Sequence, residues 1–402
     1  MSQLLTAQET SVSPYHWRLF SLCVVVYLLC GTIATLISVY LPVVVNELLG
    51  DTTEVQLGEY GAYINAAFLY GMTAGGLILG ILSDRIGRRY SLVLATTVYG
   101  LFTCLIVSVP NWQLLVVYRF FAGMGVAGVL LITTVLLSEV WPERGRAVFQ
   151  GILALTFPVG IVVSGGLKIL ITDWRMAGWL GLIPLAVTLL MLIGLKESEA
   201  WEKTRKRTDK KKLFSSENQP ILVRGATVYG SVLIGLWAVF SWTPTWISTL
   251  PGSDAQQAEG FIMMILGMGG ITGGIFSGFL VNRLGLRFTL LGTFAACFLL
   301  CCLLFMGNRV FSPWIYVEAS LLALFFGISQ GALSVYVPQL FPFEIRATAT
   351  GFCFNIGRLF TASGVFFIGA LVGILQGFAH AILLFSIFFL VAFAAVFLQS
   401  KT

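Results

Sequence analysis

The chain has 402 residues, of which 57% are hydrophobic and only 10% are charged. Average soluble domains carry about a quarter charged residues, so this composition excludes an ordinary soluble protein and indicates a membrane protein. The net charge of +6 is then a signal of orientation in the membrane and is no evidence for binding nucleic acid.

Apolar segments long enough to cross a membrane recur along the whole chain. The first 16 residues are polar and the segment behind them is full length, so we expect no cleaved signal peptide. A spanning helix needs about 20 mainly apolar residues, and twelve segments meet this requirement. We therefore predict an all-α integral membrane protein whose spans are 19–44, 60–82, 91–109, 112–138, 147–172, 176–195, 224–247, 259–281, 288–307, 313–338, 347–373 and 377–398.

The spans form two groups of six, which divide the chain into residues 1–195, a linker at 196–223, and residues 224–402. The linker is strongly basic, which indicates a solvated segment that touches anionic lipid head groups; a dedicated lipid-binding or regulatory site is the alternative. All but five of the 24 lysines and arginines lie at the termini or in the even-numbered loops. Positive residues mark the cytoplasmic side, so we expect both termini in the cytoplasm and a bacterial inner membrane as the location.

Two short patterns occur once in each half of the chain. Residues 84–89 read Asp-Arg-Ile-Gly-Arg-Arg, and residues 282–287 read Asn-Arg-Leu-Gly-Leu-Arg. Further along, residues 142–151 and 342–351 share a proline, an Arg-Ala pair and a glycine at a constant offset of 200 positions. Repeats of this kind indicate that the two halves arose by duplication.

The chain resembles the major facilitator superfamily of transporters in four features. These are the twelve spans, the basic loop after the second span, the similar loop after the eighth span, and the long central linker. The resemblance covers the whole chain, and residues 80–89 match the family's loop signature closely. It implies two pseudo-symmetric six-helix bundles that work by alternating access. In this family the loop latches the bundles together in the outward-facing state, so the resemblance implies gating roles for Asp84, Arg85, Arg88, Arg89, Glu139, Arg146, Arg283, Arg287 and Arg346.

The carboxylates of these loops suggest a charge network at the helix ends. Asp84 can pair with an arginine or cap a neighbouring helix, and we expect Glu139 within reach of Arg85 or Arg146. Gln339 occupies the position that matches Glu139 in the second half. We therefore expect two gates of unequal strength.

Three further segments look like one branch of the family. Residues 174–201, with Trp174-Arg175 and Glu197-Ser198, are similar to the end of the first half in sugar porters and in metabolite, sialate and aromatic-acid proton symporters. Residues 242–246 and 355–358 look like the metabolite symporter branch. One departure concerns the first span. Residues 29–33 contain no carboxylate, although many of those relatives carry an acidic residue there.

Ionisable side chains within spans are costly and indicate function by default. Arg119 in the fourth span opens a segment that resembles the family's proton-coupling signature. We therefore predict that Arg119 takes part in proton coupling and substrate binding, and that it faces the cavity or pairs with a buried acid. Arg358 lies eleven residues past Ala347, ~16 Å into the membrane at about 1.5 Å per residue. A guanidinium near the midplane suits a carboxylate, so we predict substrate binding by Arg358 with Asn355; a purely structural pair is the alternative. Lys168 is expected to reach outward from its span.

Proton coupling needs a group that changes its protonation state. Glu318, in the tenth predicted span, is the first candidate. By the predicted boundaries it is the only carboxylate clearly inside a span of the second half. His380 is the second, because imidazole titrates near neutral pH. In the family, spans 1, 4, 7 and 10 line the cavity, which suggests contacts with the substrate from Tyr27, Trp242 and Gln330.

These patterns predict a secondary transporter that moves a small organic anion by alternating access, with proton symport. The protein is expected to act as a monomer in the lipid bilayer, without cofactor, metal or nucleic acid, and not as an enzyme. The seven cysteines lie mostly in apolar segments and behave as small hydrophobic residues. The alternatives are a proton-driven antiporter that exports drugs or a metabolite, a neutral-sugar porter, and a transporter-like receptor.

Overall fold

The computed structural model describes residues 12–204, 218–342 and 346–398. Its twelve long apolar helices confirm the predicted all-α membrane architecture. The basic runs of the linker and the side chain of Arg346 lie outside the described residues. The spanning helices are α1 Pro14–Leu49, α2 Glu54–Ile86, α3 Arg88–Ser108, α4 Trp112–Val140, α5 Arg146–Leu170, α6 Trp174–Gly194, α7 Gln219–Thr249, α8 Ala255–Leu284, α9 Leu286–Gly307, α10 Trp314–Gln339, α11 Arg346–Leu371 and α12 Phe378–Phe397.

Several helices extend beyond the apolar segments that predicted them, because polar residues cap their ends. Thr53 begins α2 with a capping box. The Thr53 hydroxyl accepts a hydrogen bond from the backbone N–H of Gln56, and the Gln56 side chain accepts one from the backbone N–H of Thr53. Asp254 accepts from the backbone of Gln257 at the start of α8. Helix α8 therefore begins four residues before the predicted span, and α7 begins at Gln219, within the predicted linker.

Single glycines make the two turns that the repeated loops predicted. Gly87 joins α2 to α3 with φ of 106°, and Gly285 joins α8 to α9 with φ of 83°. Both φ angles are positive, and this backbone conformation is unfavourable for any residue that has a Cβ atom. The halves α1–α6 and α7–α12 thus repeat the same turn at matching positions.

The ends of the helices define two sides of the molecule. We call the end that holds Gly87, Gly285 and the linker residues 204 and 218 the linker side, and the opposite end the far side. The two halves meet along α2 with α11, and along α5 with α8, through glycines. A Cβ atom on Gly369 would lie 2.1 Å from the carbonyl oxygen of Gly58, and one on Gly165 would lie 2.5 Å from that of Gly260. Small residues let these backbones touch.

The halves part toward the linker side. Among described residues, the hydrogen bonds, ion pairs, ring contacts and glycine contacts between the halves extend from the far side only as far as Gly76 with Asn355 and Leu155 with Gly274. These residues lie nine or ten positions from the linker-side ends of their helices, which is ~15 Å at about 1.5 Å per residue. The arrangement is therefore closed on the far side.

Candidate functional site

Arg358 lies where the two halves begin to part. It is twelve residues into α11, ~18 Å from the linker-side end at about 1.5 Å per residue. A Cβ atom on Gly76 of α2 would lie 2.3 Å from Asn355 Oδ1 and 3.5 Å from Arg358 Nη1. The two side chains therefore reach across the boundary and touch the other half.

The guanidinium of Arg358 is half-buried among phenol groups. It interacts electrostatically with the hydroxyls of Tyr27 on α1 and Tyr229 on α7. The Tyr27 hydroxyl also lies near the side chain of Thr134 on α4, whose own hydroxyl donates to the Leu130 carbonyl at 2.8 Å. In the described part of the chain no carboxylate forms an ion pair with Arg358, so its charge is available to a ligand.

Two amide side chains near the middle of the second half carry unused hydrogen-bonding atoms. Asn355 donates Nδ2 to the carbonyl of Gly351 at 3.0 Å, while its Oδ1 is buried without a partner. Gln330 on α10 has a buried Nε2 without a partner. Unpaired buried polar atoms are costly, and a polar ligand or a water molecule at these atoms would remove that cost.

An aromatic pair stands beside Arg358 and Asn355. The rings of Tyr229 and Phe354 stack with centroids 4.1 Å apart and an interplanar angle of 19°. Phe354 precedes Asn355 on α11, and Tyr229 lies near Arg358. The site therefore combines one cation, hydroxyl and amide groups, and a flat apolar wall, which suits a small organic solute.

A second cluster of charges lies on the linker side of the first half. Arg88 pairs with Asp84 through Nη1 at 2.6 Å and with Glu139 through Nη2 at 3.0 Å. Asp84 thus pairs with an arginine, as predicted. Glu139 does not reach Arg85 or Arg146: Arg85 is exposed on α2, and the Arg146 side chain donates instead to the Trp141 carbonyl. The prediction named the wrong partner because Arg88, at the first turn of α3, faces the end of α4.

Glu197 joins the start of the linker to this cluster. Its carboxylate accepts from the backbone N–H of Arg88 at 2.7 Å and of Arg89 at 3.2 Å, which are the first two amides of α3. Trp201 donates its indole N–H to the Asp84 carbonyl at 2.9 Å, and the Arg89 side chain donates to the carbonyl of Leu192. A carboxylate suits a helix N-terminus, so Glu197 is the cap of α3, a role that the sequence did not reveal.

The matching loop of the second half has a different arrangement. Arg283 is exposed and lies over the Phe279 ring, with 5.8 Å to its centroid, and Arg287 donates to the carbonyl of Phe397 at 2.7 Å. Within the described residues no ion pair involves these two arginines. Whether the two gates differ in strength stays a prediction.

Comparison with known proteins identifies the family. The Major Facilitator Superfamily model matches residues 23–364. The chain belongs to the Major Facilitator Superfamily. It is a multi-pass membrane transporter and not an enzyme.

Named transporters of this superfamily are similar over most of the chain. The cis,cis-muconate transport protein of Acinetobacter baylyi is 26% identical and covers 88% of this chain and 87% of its own length. The 4-hydroxybenzoate transporter PcaK of Pseudomonas aeruginosa is 25% identical over 90% and 88%. Among solved structures, a D-xylose-proton symporter superposes with a TM-score of 0.76 at 18% identity, covering 96% of this chain and 98% of that one.

Arg119 of this major facilitator chain is buried against α1. It is 1% exposed, donates to the carbonyls of Ile33 at 3.0 Å and Ala34 at 3.3 Å, and lies 4.1 Å from the centroid of the Phe68 ring. No acidic side chain in the described residues pairs with it. The roles of Arg119 in substrate binding and proton coupling stay predictions. The contacts observed for its guanidinium join α4 to α1 and to the Phe68 ring of α2.

The remaining predicted residues lie away from Arg358. Trp242 is fully buried toward the far side, where its ring packs on Phe378 and would meet a Cβ atom on Gly61. Glu318 is partly exposed near the far-side end of α10 and accepts from Asn308 at 2.6 Å, and His380 is exposed at the start of α12. The structure therefore brings together Arg358, Asn355 and Tyr27, while Glu318 and His380 keep their proton-coupling role only as predictions.

The predictions for Lys168 and for the carboxylates of the second half were also wrong. Lys168 does not reach outward: it forms an ion pair with Glu259 at 2.8 Å, and the two side chains are 3% and 2% exposed. Glu259 lies inside α8, so Glu318 is not the only carboxylate within a span of the second half. The predicted span began at residue 259, which made this carboxylate look like the edge of a loop.

Proposed function

We propose that this transporter carries a small organic anion, a carboxylate, across the cell membrane by alternating access with proton symport. The observation that carries the proposal is the unpaired guanidinium of Arg358 at the point where the halves part. A lone cation at this depth is costly. A substrate carboxylate would compensate the charge and accept two parallel hydrogen bonds from the guanidinium fork.

The position of Arg358 supports alternating access. The residue belongs to α11 but touches Gly76 of α2 and lies close to Tyr27 of α1. A solute held there contacts both halves, so its binding free energy depends on how the halves are arranged. Because one chain supplies both walls, a monomer is sufficient as the transport unit.

The distribution of basic residues supports an orientation. The described arginines of the repeated loops, Arg85, Arg88, Arg283 and Arg287, lie on the linker side. Positive residues mark the cytoplasmic face, so we assign the linker side and both termini to the cytoplasm. The described arrangement is then inward-facing. The named relatives come from bacteria, which supports an inner-membrane location.

The kind of substrate is supported by the relatives together with the site. Two relatives are named for cis,cis-muconate and 4-hydroxybenzoate, both of which are planar carboxylates. The stacked rings of Tyr229 and Phe354 offer a flat surface beside Arg358. Coupling to protons is supported by the structural similarity to a D-xylose-proton symporter, and Glu318 is the group that we expect to carry the proton.

The proposal is tested by uptake into liposomes that contain the purified protein, with an inward proton gradient. Labelled cis,cis-muconate, 4-hydroxybenzoate, D-xylose and a cationic drug are compared. We expect carboxylate uptake that Arg358→Ala abolishes and that Arg358→Lys weakens, since a lysine cannot form the bidentate contact. Arg309→Ala removes an exposed arginine on the far side and is the matched control, with uptake unchanged.

The same uptake assay also tests proton coupling. Glu318→Gln is expected to preserve carboxylate exchange between the two sides but to remove accumulation driven by the gradient. Uptake of D-xylose or of the drug that does not depend on Arg358 would instead support a sugar porter or an exporter, and would contradict the anion assignment.

A further inference from the structure

Lys168 and Glu259 form an ion pair across the boundary between the two halves. Lys168 lies near the far-side end of α5 and Glu259 near the far-side start of α8. Their Nζ and Oε2 atoms are 2.8 Å apart, and both side chains are buried. Among the described residues, Glu259 is the only acidic side chain that is fully buried.

Each ion of the pair also has a contact within its own half. The ammonium of Lys168 lies 4.7 Å from the centroid of the Tyr40 ring of α1. The Tyr40 hydroxyl donates to the carbonyls of Leu167 at 3.1 Å and Ile171 at 2.7 Å, which holds the ring in place. On the other side, Glu259 lies beside Ser248 of α7, whose hydroxyl donates to the Thr245 carbonyl at 2.8 Å. Each ion therefore keeps a neighbouring aromatic or hydroxyl group if the halves separate.

The backbones around the pair are in direct contact. A Cβ atom on Gly260 would lie 2.8 Å from the Gly165 carbonyl oxygen and 2.5 Å from Ile169 Cγ1. Gln256 donates across the same boundary to the Ile169 carbonyl at 3.4 Å. No loop or long side chain separates the two helices here, so α5 and α8 cannot move apart without pulling Lys168 from Glu259.

We propose that the Lys168–Glu259 pair is a latch that holds the far side closed and is broken each time the far side opens. A buried pair gains Coulomb energy but loses hydration, so the net free energy by which it favours the closed state is only a small part of either effect. Opening admits water to both ions, which restores their hydration, while Tyr40 stays beside Lys168 and Ser248 stays beside Glu259. The latch can thus break reversibly. This inference rests on alternating access but not on the identity of the solute.

A second ion pair on the far side joins two helices of the same half and serves as a comparison for the Lys168–Glu259 pair. Glu47 of α1 and Arg175 of α6 are 2.7 Å apart and partly exposed. Arg175 also donates to the carbonyls of Val107 and Val109. All four residues belong to the first half, so this pair stays intact when the halves separate, and its removal is the matched control.

The test measures the distance between spin labels on the far side of the full-length protein in liposomes. Asp51→Cys and Arg309→Cys place one label on an exposed loop of each half. Cys104→Ser and Cys302→Ser remove the two native thiols that are not buried. In this background, Lys168→Gln with Glu259→Gln removes both charges but keeps polar side chains. Lys168→Glu with Glu259→Lys exchanges the two charges.

We expect the Gln pair to raise the ratio of long to short label distances by about tenfold, and the exchanged pair to return it toward the wild-type value. Glu47→Gln with Arg175→Gln should leave the ratio unchanged. A folded Gln pair with the wild-type ratio would overturn the latch. So would an exchanged pair that behaves like the Gln pair. None of these outcomes depends on solute uptake, so a failed carboxylate assignment would leave the result interpretable.

Discussion

The hydroxyl groups of Tyr70 and Ser363 lie 2.9 Å apart across the boundary between the halves. Tyr70 belongs to α2 and Ser363 to α11, five residues beyond Arg358. This contact stands between the glycine contact of the far side and the site at Arg358. The pair of helices α2 and α11 therefore takes part in closing the far side and also carries the guanidinium of the proposed solute site.

Tyr70→Phe is expected to favour opening of the far side. A neutral hydrogen bond contributes about 0.5–1.5 kcal/mol, which corresponds to a few-fold change in the ratio of closed to open molecules. The spin-label distances on the far side measure this ratio. Ser363→Ala should give the same shift, and the double variant should add little to either one, because both changes remove one bond. Fully additive shifts would contradict a shared bond.

Gly369→Ala is expected to abolish solute uptake without preventing membrane insertion. The added methyl group would lie 2.1 Å from the Gly58 carbonyl oxygen, so α2 and α11 could not close. Gly278→Ala is the control, because a Cβ atom there meets nothing within 4 Å. Uptake assays on both variants, with the amount of protein in the membrane measured alongside, decide the outcome. Normal uptake by Gly369→Ala would show that the contact is not needed.

Glu197→Gln is expected to lower thermal stability. The substitution removes a charge from hydrogen bonds to the first amides of α3, and bonds to charged groups contribute about 1.5–3 kcal/mol. The melting temperature in detergent should fall for Glu197→Gln and stay constant for Glu202→Gln, which changes an exposed carboxylate of the same segment. Equal melting temperatures would rule out the capping role.

Arg119→Met tests whether the buried arginine supports the fold or couples protons. Its two hydrogen bonds to the α1 carbonyls predict a loss of about 1–3 kcal/mol in the free energy of unfolding. Uptake by the remaining folded protein should still respond to a proton gradient, because no described acid pairs with this residue. Unchanged stability together with loss of the gradient response would assign Arg119 to coupling instead.

The sequence predicted the twelve helices because length and hydropathy alone determine which segments can span a membrane. It also placed Arg358 well inside its helix, since depth follows from counting residues along one helix. Hydropathy and residue counting do not predict which distant segments contact each other. Glu197 lies 109 positions from Arg88, and the pairing of Lys168 with Glu259 depends on how two helices of different halves pack.

Boundaries account for the other differences. Asp254 caps α8 and starts the helix before its apolar segment, which moves Glu259 from the predicted edge into the span. Trp242 was predicted to line the cavity, but its ring fills the space left by Gly61. Neither the cap nor the fit of a ring against a glycine can be read from hydropathy, because both depend on neighbouring backbone geometry.

The glycine contacts between the halves have an electrical consequence. At Gly58 with Gly369, and at Gly165 with Gly260, the backbones touch and leave no room for water between the helices. A membrane voltage therefore falls mainly across the far side of the boundary between the halves. A voltage of 100 mV changes the energy of a unit charge by about 2.3 kcal/mol when the charge crosses the whole field. Because the halves part beyond Arg358, an anion that leaves from there toward the linker side crosses the smaller share of this field, and the voltage acts mainly on the rearrangement that reopens the far side.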